Sequence, residues 1–220
     1  MKKVAVLLCG SGFKDGSEIH ESVLTLLALS KRGVTVRCFA QDRDQHHVVN
    51  ALTGAASSGE VRNQRVESAR IARGEVDPLS SLQVLDFDAL ILPGGFGAAK
   101  NLCTYAFEGA DGRVMPEVSR VLQAFFANRK PIGAICIAPM ILALEFKGSG
   151  LHLTFGPKDE EVDANARALG QVPVECPVEE ICVDEAHRVV TTPAYMYEKP
   201  AIHRVAEGID RLVDAVLKMT

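Results

Sequence analysis

No apolar run in this chain approaches the roughly 20 residues that a bilayer-spanning helix requires, so no membrane span is expected. No C-x-x-C pair occurs among Cys9, Cys38, Cys103, Cys136, Cys176 and Cys182, and their density is far below that of a secreted disulfide scaffold. Reduced thiols in the cytoplasm fit that usage best. Cys176 and Cys182 flank Glu179 and Glu180 at a spacing unlike the usual zinc pairs, so no metal is expected. No block of like charge is present either: 24 Lys and Arg against 28 Asp and Glu leave a formal charge of -4, with the basic residues scattered among acids. Such a chain offers no basic field to nucleic-acid phosphates, and no nucleic-acid partner is expected. Repeats and low-complexity tracts are missing as well. Met1-Lys-Lys3 followed by Val4–Cys9 imitates a signal peptide, but the apolar run stops at Gly10 without a small-residue cleavage site. A first β-strand explains it better.

The composition, 47% hydrophobic and 24% charged over 220 residues, is that of a globular chain able to bury a large core. Short apolar runs at Lys3–Cys9, Val34–Ala40, Ala89–Leu92 and Pro131–Ile135 alternate with amphipathic stretches, an order that predicts a parallel sheet flanked by helices. The first helix is expected over Ser17–Lys31, with Ser17 as N-cap, Ile19, Val23, Leu26 and Leu27 at helical spacing, and Gly33 closing it. Between Gln41 and Leu82 the strand pattern stops. This polar segment, with an arginine-rich helix expected over Val61–Arg73, reads as an insertion over one sheet edge within a single domain spanning 1–220. Further helices are expected over Ala138–Phe146, Lys158–Leu169 and Pro200–Leu217, and a hairpin from Glu180–Val183 and Arg188–Thr192.

Chemistry concentrates at Pro131-Ile-Gly-Ala-Ile-Cys-Ile-Ala-Pro-Met140, an apolar strand that breaks at Cys136 and continues past Pro139, a residue favoured in a first helical turn. A nucleophile raised on such an elbow needs small residues two before and two after it, and Ala134 and Ala138 stand there. A thiol at a helix N-terminus should have a lowered pKa. A buried structural cysteine would satisfy the same stretch. Asp88-Ala-Leu-Ile-Leu-Pro-Gly-Gly-Phe-Gly97 is a strand ending in paired glycines, either a plain turn or one whose N–H groups face a small oxyanion. Glu21, on a helix side continued by Leu24 and Ala28, could be a buried protonated acid, or a solvated first-turn glutamate. Glu18 competes for the same role.

These elements together resemble the ThiJ/PfpI, or class I glutamine amidotransferase-like, superfamily. Gly10-Ser-Gly-Phe-Lys-Asp-Gly-Ser-Glu-Ile-His-Glu21 and Thr191-Thr-Pro-Ala-Tyr-Met196 narrow the resemblance to ElbB-like proteins, over nearly the whole chain. The resemblance implies a flavodoxin-like three-layer α/β/α sandwich, its sheet mostly parallel with a C-terminal β-hairpin, and a homodimer. It implies that Cys136 is the nucleophile, that Glu21, twelve residues before Gly33, bonds to it, and that Gly94, Gly95 and Ile137 bind an oxyanion. Many members place a histidine beside the cysteine, but Ile137 follows it here and the next histidine, His152, is sixteen positions on, a possible partner or a plain strand residue. The other histidines, His20, His46, His47, His187 and His203, lie in polar or helical contexts where solvation is the default. A complete Cys-His-acid triad is not expected, which counts against glutamine hydrolysis.

A dinucleotide-binding fold competes through Gly10-Ser-Gly12 and Asp42, but the third glycine of that fingerprint would fall at Asp15. The reading taken is a cofactor-free glyoxalase of the lyase class that converts small α-oxoaldehydes, glyoxal to glycolate, through a Cys136 hemithioacetal. The alternative is a non-enzymatic redox sensor associated with isoprenoid biosynthesis.

Overall fold

The computed structural model describes residues 1–220. In chain order the elements are β1 (Lys3–Leu8), α1 (Ile19–Lys31), β2 (Thr35–Ala40), α2 (Gln64–Ile71), β3 (Val76–Pro78), β4 (Ala89–Leu92), α3 (Ala98–Asn101), α4 (Tyr105–Glu108) and α5 (Pro116–Ala127). They continue with β5 (Ile132–Ile135), α6 (Pro139–Glu145), β6 (His152–Leu153), α7 (Glu160–Ala168), β7 (Val172–Pro173), β8 (Cys182–Asp184), β9 (Val189–Thr192) and α8 (Ile202–Lys218). Seven strands form one sheet in the order β3-β2-β1-β4-β5-β9-β8, parallel throughout except for β8, which runs antiparallel to β9. Strands β6 and β7 pair separately.

β1, β4 and β5 are the central strands, and residues 4–8, 89–92 and 132–135 are buried on both faces, as parallel strands under helical layers must be. The crossovers β1-α1-β2 and β4-α5-β5 travel in opposite directions along the sheet, so right-handed connections put their helices on opposite faces. The chain is therefore a flavodoxin-like α/β protein. Strand order reverses between β1 and β4, and the crevice beyond their carboxyl ends is where open α/β sheets bind ligands.

Three expectations change. Ser17 does not cap α1: Glu18 does, its side chain accepting the Glu21 N–H at 2.7 Å. Ser17 is buried instead, its hydroxyl accepting the Cys9 N–H at 2.9 Å, because the chain turns inward before the helix begins. The 41–82 segment does lie at the β2 edge, but it also supplies β3, which pairs Cys38 with Val76, as well as α2, whose cap is Asn63. Helix α5 had no sequence expectation, although Pro116 at its first turn and Val118, Val121, Leu122 and Phe125 on its buried face carry the usual signal.

Asp184 ties β6 to the hairpin. Its carboxylate accepts the N–H of His152 at 2.9 Å, the N–H of His187 at 3.0 Å and the His187 ring at 2.8 Å. Burial raises its proton affinity, but these donors outweigh it and hold the carboxyl below the ordinary range. The folded protein is then harder to protonate here than the unfolded chain, so this stability is present above about pH 4 and lost as the pH falls. Asp184→Ala should cost about 1–3 kcal/mol at neutral pH and visibly less near pH 3, by urea unfolding. An equal cost at both would mean that charge plays no part.

Candidate active site

Strand β5 delivers Cys136 onto a sharp turn. The residue has φ of 61°, in the left-handed region that side chains disfavour, and its N–H donates to Thr192 O at 3.0 Å. Ala138 N–H donates to Ile135 O at 3.0 Å, closing the turn, and Pro139 opens α6. Ala134 and Ala138 are fully buried on either side of the thiol, where larger side chains would have no room.

The second piece is the turn after β4. A Cβ added at Gly94 would stand 2.6 Å from the Cys136 Cβ, 2.5 Å from Ile135 O and 3.0 Å from Glu21 Oε2, so only glycine lets the two turns touch. Gly94 is not free to bind an oxyanion: its N–H donates to Glu21 Oε2 at 2.8 Å, and its carbonyl accepts the Glu18 N–H at 2.9 Å. The backbone donors that face the sulfur are those of Gly95 and Ile137, and neither has a carbonyl acceptor.

Glu21 is fully buried, whereas Ile19, Val23 and Leu27 are 44, 46 and 47% exposed. Of the apolar residues at helical spacing, those three point outward and Leu26 packs against the core, while α1 buries Glu21, Ser22, Thr25, Ala28 and Leu29. Of the two candidate acids, Glu21 reaches Cys136 and Glu18 stays half-buried at the helix cap. Burial, assisted by the negative charge of Glu18, pushes the Glu21 carboxyl up to about 8, against the opposing contacts from Gly94, Cys136 and Tyr195.

The lowered thiol pKa expected at the elbow is not what the structure gives. Burial and then the charge of Glu21 raise Cys136, and the Gly95 and Ile137 N–H groups offset only part of this. Helix α6 has seven residues and its field does not outweigh desolvation. Acid and thiol are best treated as one titrating unit, whose first proton is lost near the value for Glu21.

Cys136 and Ile137 open onto a cavity of about 360 Å³ walled by Phe13, Phe96, Tyr105, Val162, Tyr195 and Met196, with Glu18 and Glu161 at its margins. His152 is not brought there: its ring is exposed on β6, outside the cavity lining. A pair that sequence reasoning missed stands at the mouth, where His20 Nδ1 meets the Tyr195 hydroxyl at 2.7 Å. The two lie 175 positions apart, beyond any local motif, though both fall in the stretches that carried the family resemblance.

At the level of class, this is an α/β protein that carries its thiol on a strand-to-helix elbow against a buried carboxyl. Residues 2–197 match the DJ-1/PfpI family, and the chain belongs to it. It is 44% identical to the human glutamine amidotransferase-like class 1 domain-containing protein 3, mitochondrial, covering 99% of this chain and 83% of that protein. The rat ES1 protein homolog, mitochondrial, is 43% identical, with 99% of this chain and 84% of that one covered. Among solved structures, an isoprenoid biosynthesis protein with an amidotransferase-like domain from Ehrlichia chaffeensis superposes with a TM-score of 0.91 at 36% identity, over 100% of this chain and 99% of that one. Drosophila melanogaster DJ-1beta, at 17% identity and a TM-score of 0.57 over 99% and 95% of the two chains, shares the fold.

All six thiols are reduced and buried, and Cys9, Cys38, Cys103, Cys176 and Cys182 are pushed up to about 11 or 12, chiefly by burial. Alkylation followed by mass spectrometry should label Cys136 first, at a rate that climbs through pH about 8 as the pair loses its first proton. Glu18→Gln, by removing a like charge, should move that limb to lower pH, and Glu21→Gln should abolish it. First labelling of Cys38, which also lines a groove, would contradict the assignment.

Proposed function

We propose that the protein is a cofactor-independent glyoxalase acting on small α-oxoaldehydes such as glyoxal, with Cys136 as nucleophile and Glu21 as proton carrier. The observation that supports it most directly is the fully buried Glu21 carboxyl facing the Cys136 thiol, raised to about 8, so that it can both hold and release a proton near neutrality. The single-proton form of the pair is the reactive one. Sulfur attacks one aldehyde carbon, Glu21 protonates the resulting oxyanion, and the now ionised carboxylate removes the hydrogen from that carbon. Glu21 then returns the proton to the neighbouring carbon, leaving a glycolyl thioester. Water attacks the thioester with Glu21 as base, glycolate departs, and the thiol–carboxyl pair is restored. The reaction is an internal redox isomerisation followed by hydrolysis, and it consumes no external reductant or thiol. Gly95 and Ile137 N–H groups would hold the oxyanion next to sulfur. Gly94 is assigned a positioning role on Glu21, in place of oxyanion binding. No role is given to His152.

The occupant of the cavity is thus a small aldehyde. A homodimer remains part of the proposal, to be read by light scattering. The reduced thiols suit a reducing compartment, cytoplasmic or, as the names of the human and rat relatives suggest, mitochondrial. The competing account, a redox sensor linked to isoprenoid synthesis, draws on the same buried thiol and on the likeness to the Ehrlichia isoprenoid biosynthesis protein.

Purified protein without glutathione or metal should convert glyoxal to glycolate clearly above buffer, since acid–base relay typically contributes about 10²–10⁴-fold, and Cys136→Ala should reduce it to the buffer rate. In D₂O the product should carry deuterium on carbon, because the Glu21 proton exchanges with solvent; direct hydride transfer would leave it unlabelled. Wild type and Cys136→Ala running equally at the buffer rate over several small aldehydes would sink the glyoxalase reading in favour of the sensor.

A further inference from the structure

The chemistry above leaves one proton without a carrier. When Glu21 has taken hydrogen from the sulfur-bearing carbon, negative charge sits on the oxygen of the far carbon, while the oxygen beside sulfur still bears hydrogen. Protonating the far carbon to give a thioester requires that this hydrogen move from one oxygen to the other. Glu21 is then occupied, holding the proton destined for carbon. No imidazole lines the cavity to do the work.

Five ionisable side chains line it: Glu18, Tyr105, Cys136, Glu161 and Tyr195. Glu18 is bound to the start of α1, where it accepts the Glu21 N–H at 2.7 Å. The Tyr105 hydroxyl is paired with the Asn165 amide at 3.1 Å, and Glu161 is exposed on α7. Tyr195 differs from these in three respects. Its backbone N–H lies 3.5 Å from Glu21 Oε1, so its main chain borders the relay carboxyl while its side chain lines the cavity. Ala194 before it is buried with φ of 46°, so the backbone accepts strain in order to present it. Its hydroxyl sits 2.7 Å from His20 Nδ1, one residue from Glu21 on the same helix.

We propose that the Tyr195 phenol, oriented by His20, carries the proton between the two substrate oxygens during the Glu21 isomerisation. The phenol gives its hydrogen to the far oxygen and takes the hydrogen from the oxygen beside sulfur, so it ends the step unchanged. The C–O bond beside sulfur becomes the thioester carbonyl as Glu21 delivers its proton to the far carbon. Burial and the negative charges of Glu18 and Glu21 raise the Tyr195 phenol above its ordinary value, so the hydrogen needed for the shuttle is present throughout the neutral range. With Nδ1 protonated, His20 donates to the phenol oxygen and leaves the phenol hydrogen directed at substrate. Tyr195 is a catalytic residue in this scheme and His20 a positioning one.

The assignment rests on the glyoxalase reading, and the test separates the two. Tyr195→Phe keeps the ring and should lower kcat for glyoxal about 10²-fold while leaving KM within a few-fold, the pattern of a lost transition-state donor. Because isomerisation then limits the rate, fully deuterated glyoxal should react measurably more slowly than unlabelled glyoxal in Tyr195→Phe, with a larger isotope effect than in wild type. His20→Ala should cost about tenfold, and the double variant should be no slower than Tyr195→Phe alone, since His20 acts only through the phenol. Thermal melts of each variant separate folding losses from these effects. Wild-type turnover with an unchanged kcat and isotope effect in Tyr195→Phe overturns this assignment and leaves the glyoxalase reading standing. Additive losses in the double variant overturn the pairing with His20. A wild type without turnover overturns both proposals.

Discussion

A carboxyl removed from water must be protonated or hydrogen-bonded, or it costs several kcal/mol. Glu21 meets that demand at the one place where three separate segments converge. Its Oε2 accepts from Gly94 on the turn after β4, its Oε1 faces Tyr195 on the turn after β9, and the carboxyl contacts Cys136 on the turn after β5. The position of α1 follows from this requirement. Glu18 at the cap both donates its N–H to Gly94 O and accepts the Glu21 N–H, so the first turn of the helix is fastened to the glycine turn from two directions. Without the buried acid, the inward side of α1 would be held to the core by Leu24, Leu26, Ala28 and Leu29 alone.

The outward placement of Ile19, Val23 and Leu27 marks the limit of what could be read from the sequence. The alternation of apolar runs and helices revealed the parallel sheet, because β1, β4 and β5 are central and buried on both faces, a condition that writes itself as continuous hydrophobicity. β3 is a three-residue edge strand containing Asp and Pro, and has no such signature. The face of α1 could not be read by hydrophobic periodicity, because Ile19, Val23 and Leu27 form a regular stripe that the fold leaves outside. Local preference and global placement disagree here, and such disagreements gather where function overrides packing. The elbow itself was legible through Ala134, Cys136, Ala138 and Pro139, since the turn demands small neighbours and a first-turn proline regardless of the rest of the chain. Its proton affinity was not, because desolvation depends on what surrounds the thiol, and that comes from β4, β9 and α1.

Strain is placed in keeping with this. Cys136 and Ala194 are both non-glycine residues at positive φ, at the ends of adjacent parallel strands, and the Cys136 thiol and the N–H of Tyr195 after Ala194 meet the same carboxyl. A conformation that costs of order 1–3 kcal/mol per residue persists only where the surroundings over-determine it. Here the Cys136 N–H bond to Thr192 O links one strained turn to the strand that leads into the other. The site is therefore carried by rigid strand ends, which suits chemistry in which a proton must be returned to a carbon adjacent to the one it left.

The same arrangement bears on which reactions a DJ-1/PfpI chain of this kind can perform. Amide hydrolysis by a cysteine–histidine pair relies on an imidazole that takes the thiol proton and then delivers it to a departing amine. The cavity at Cys136 has no imidazole in its lining, and the group beside the sulfur is a carboxyl whose proton affinity burial and a neighbouring charge have lifted beyond that of an ordinary imidazole. Thiol and acid then compete for the same protons: each proton held by one makes the other easier to ionise. A pair coupled in this way alternates between thiolate with acid and thiol with carboxylate, and neither state supplies an imidazolium aimed at a departing amine. Moving a proton between two adjacent carbons draws on that alternation, and the accompanying oxygen-to-oxygen transfer is the one proposed above for the Tyr195 phenol.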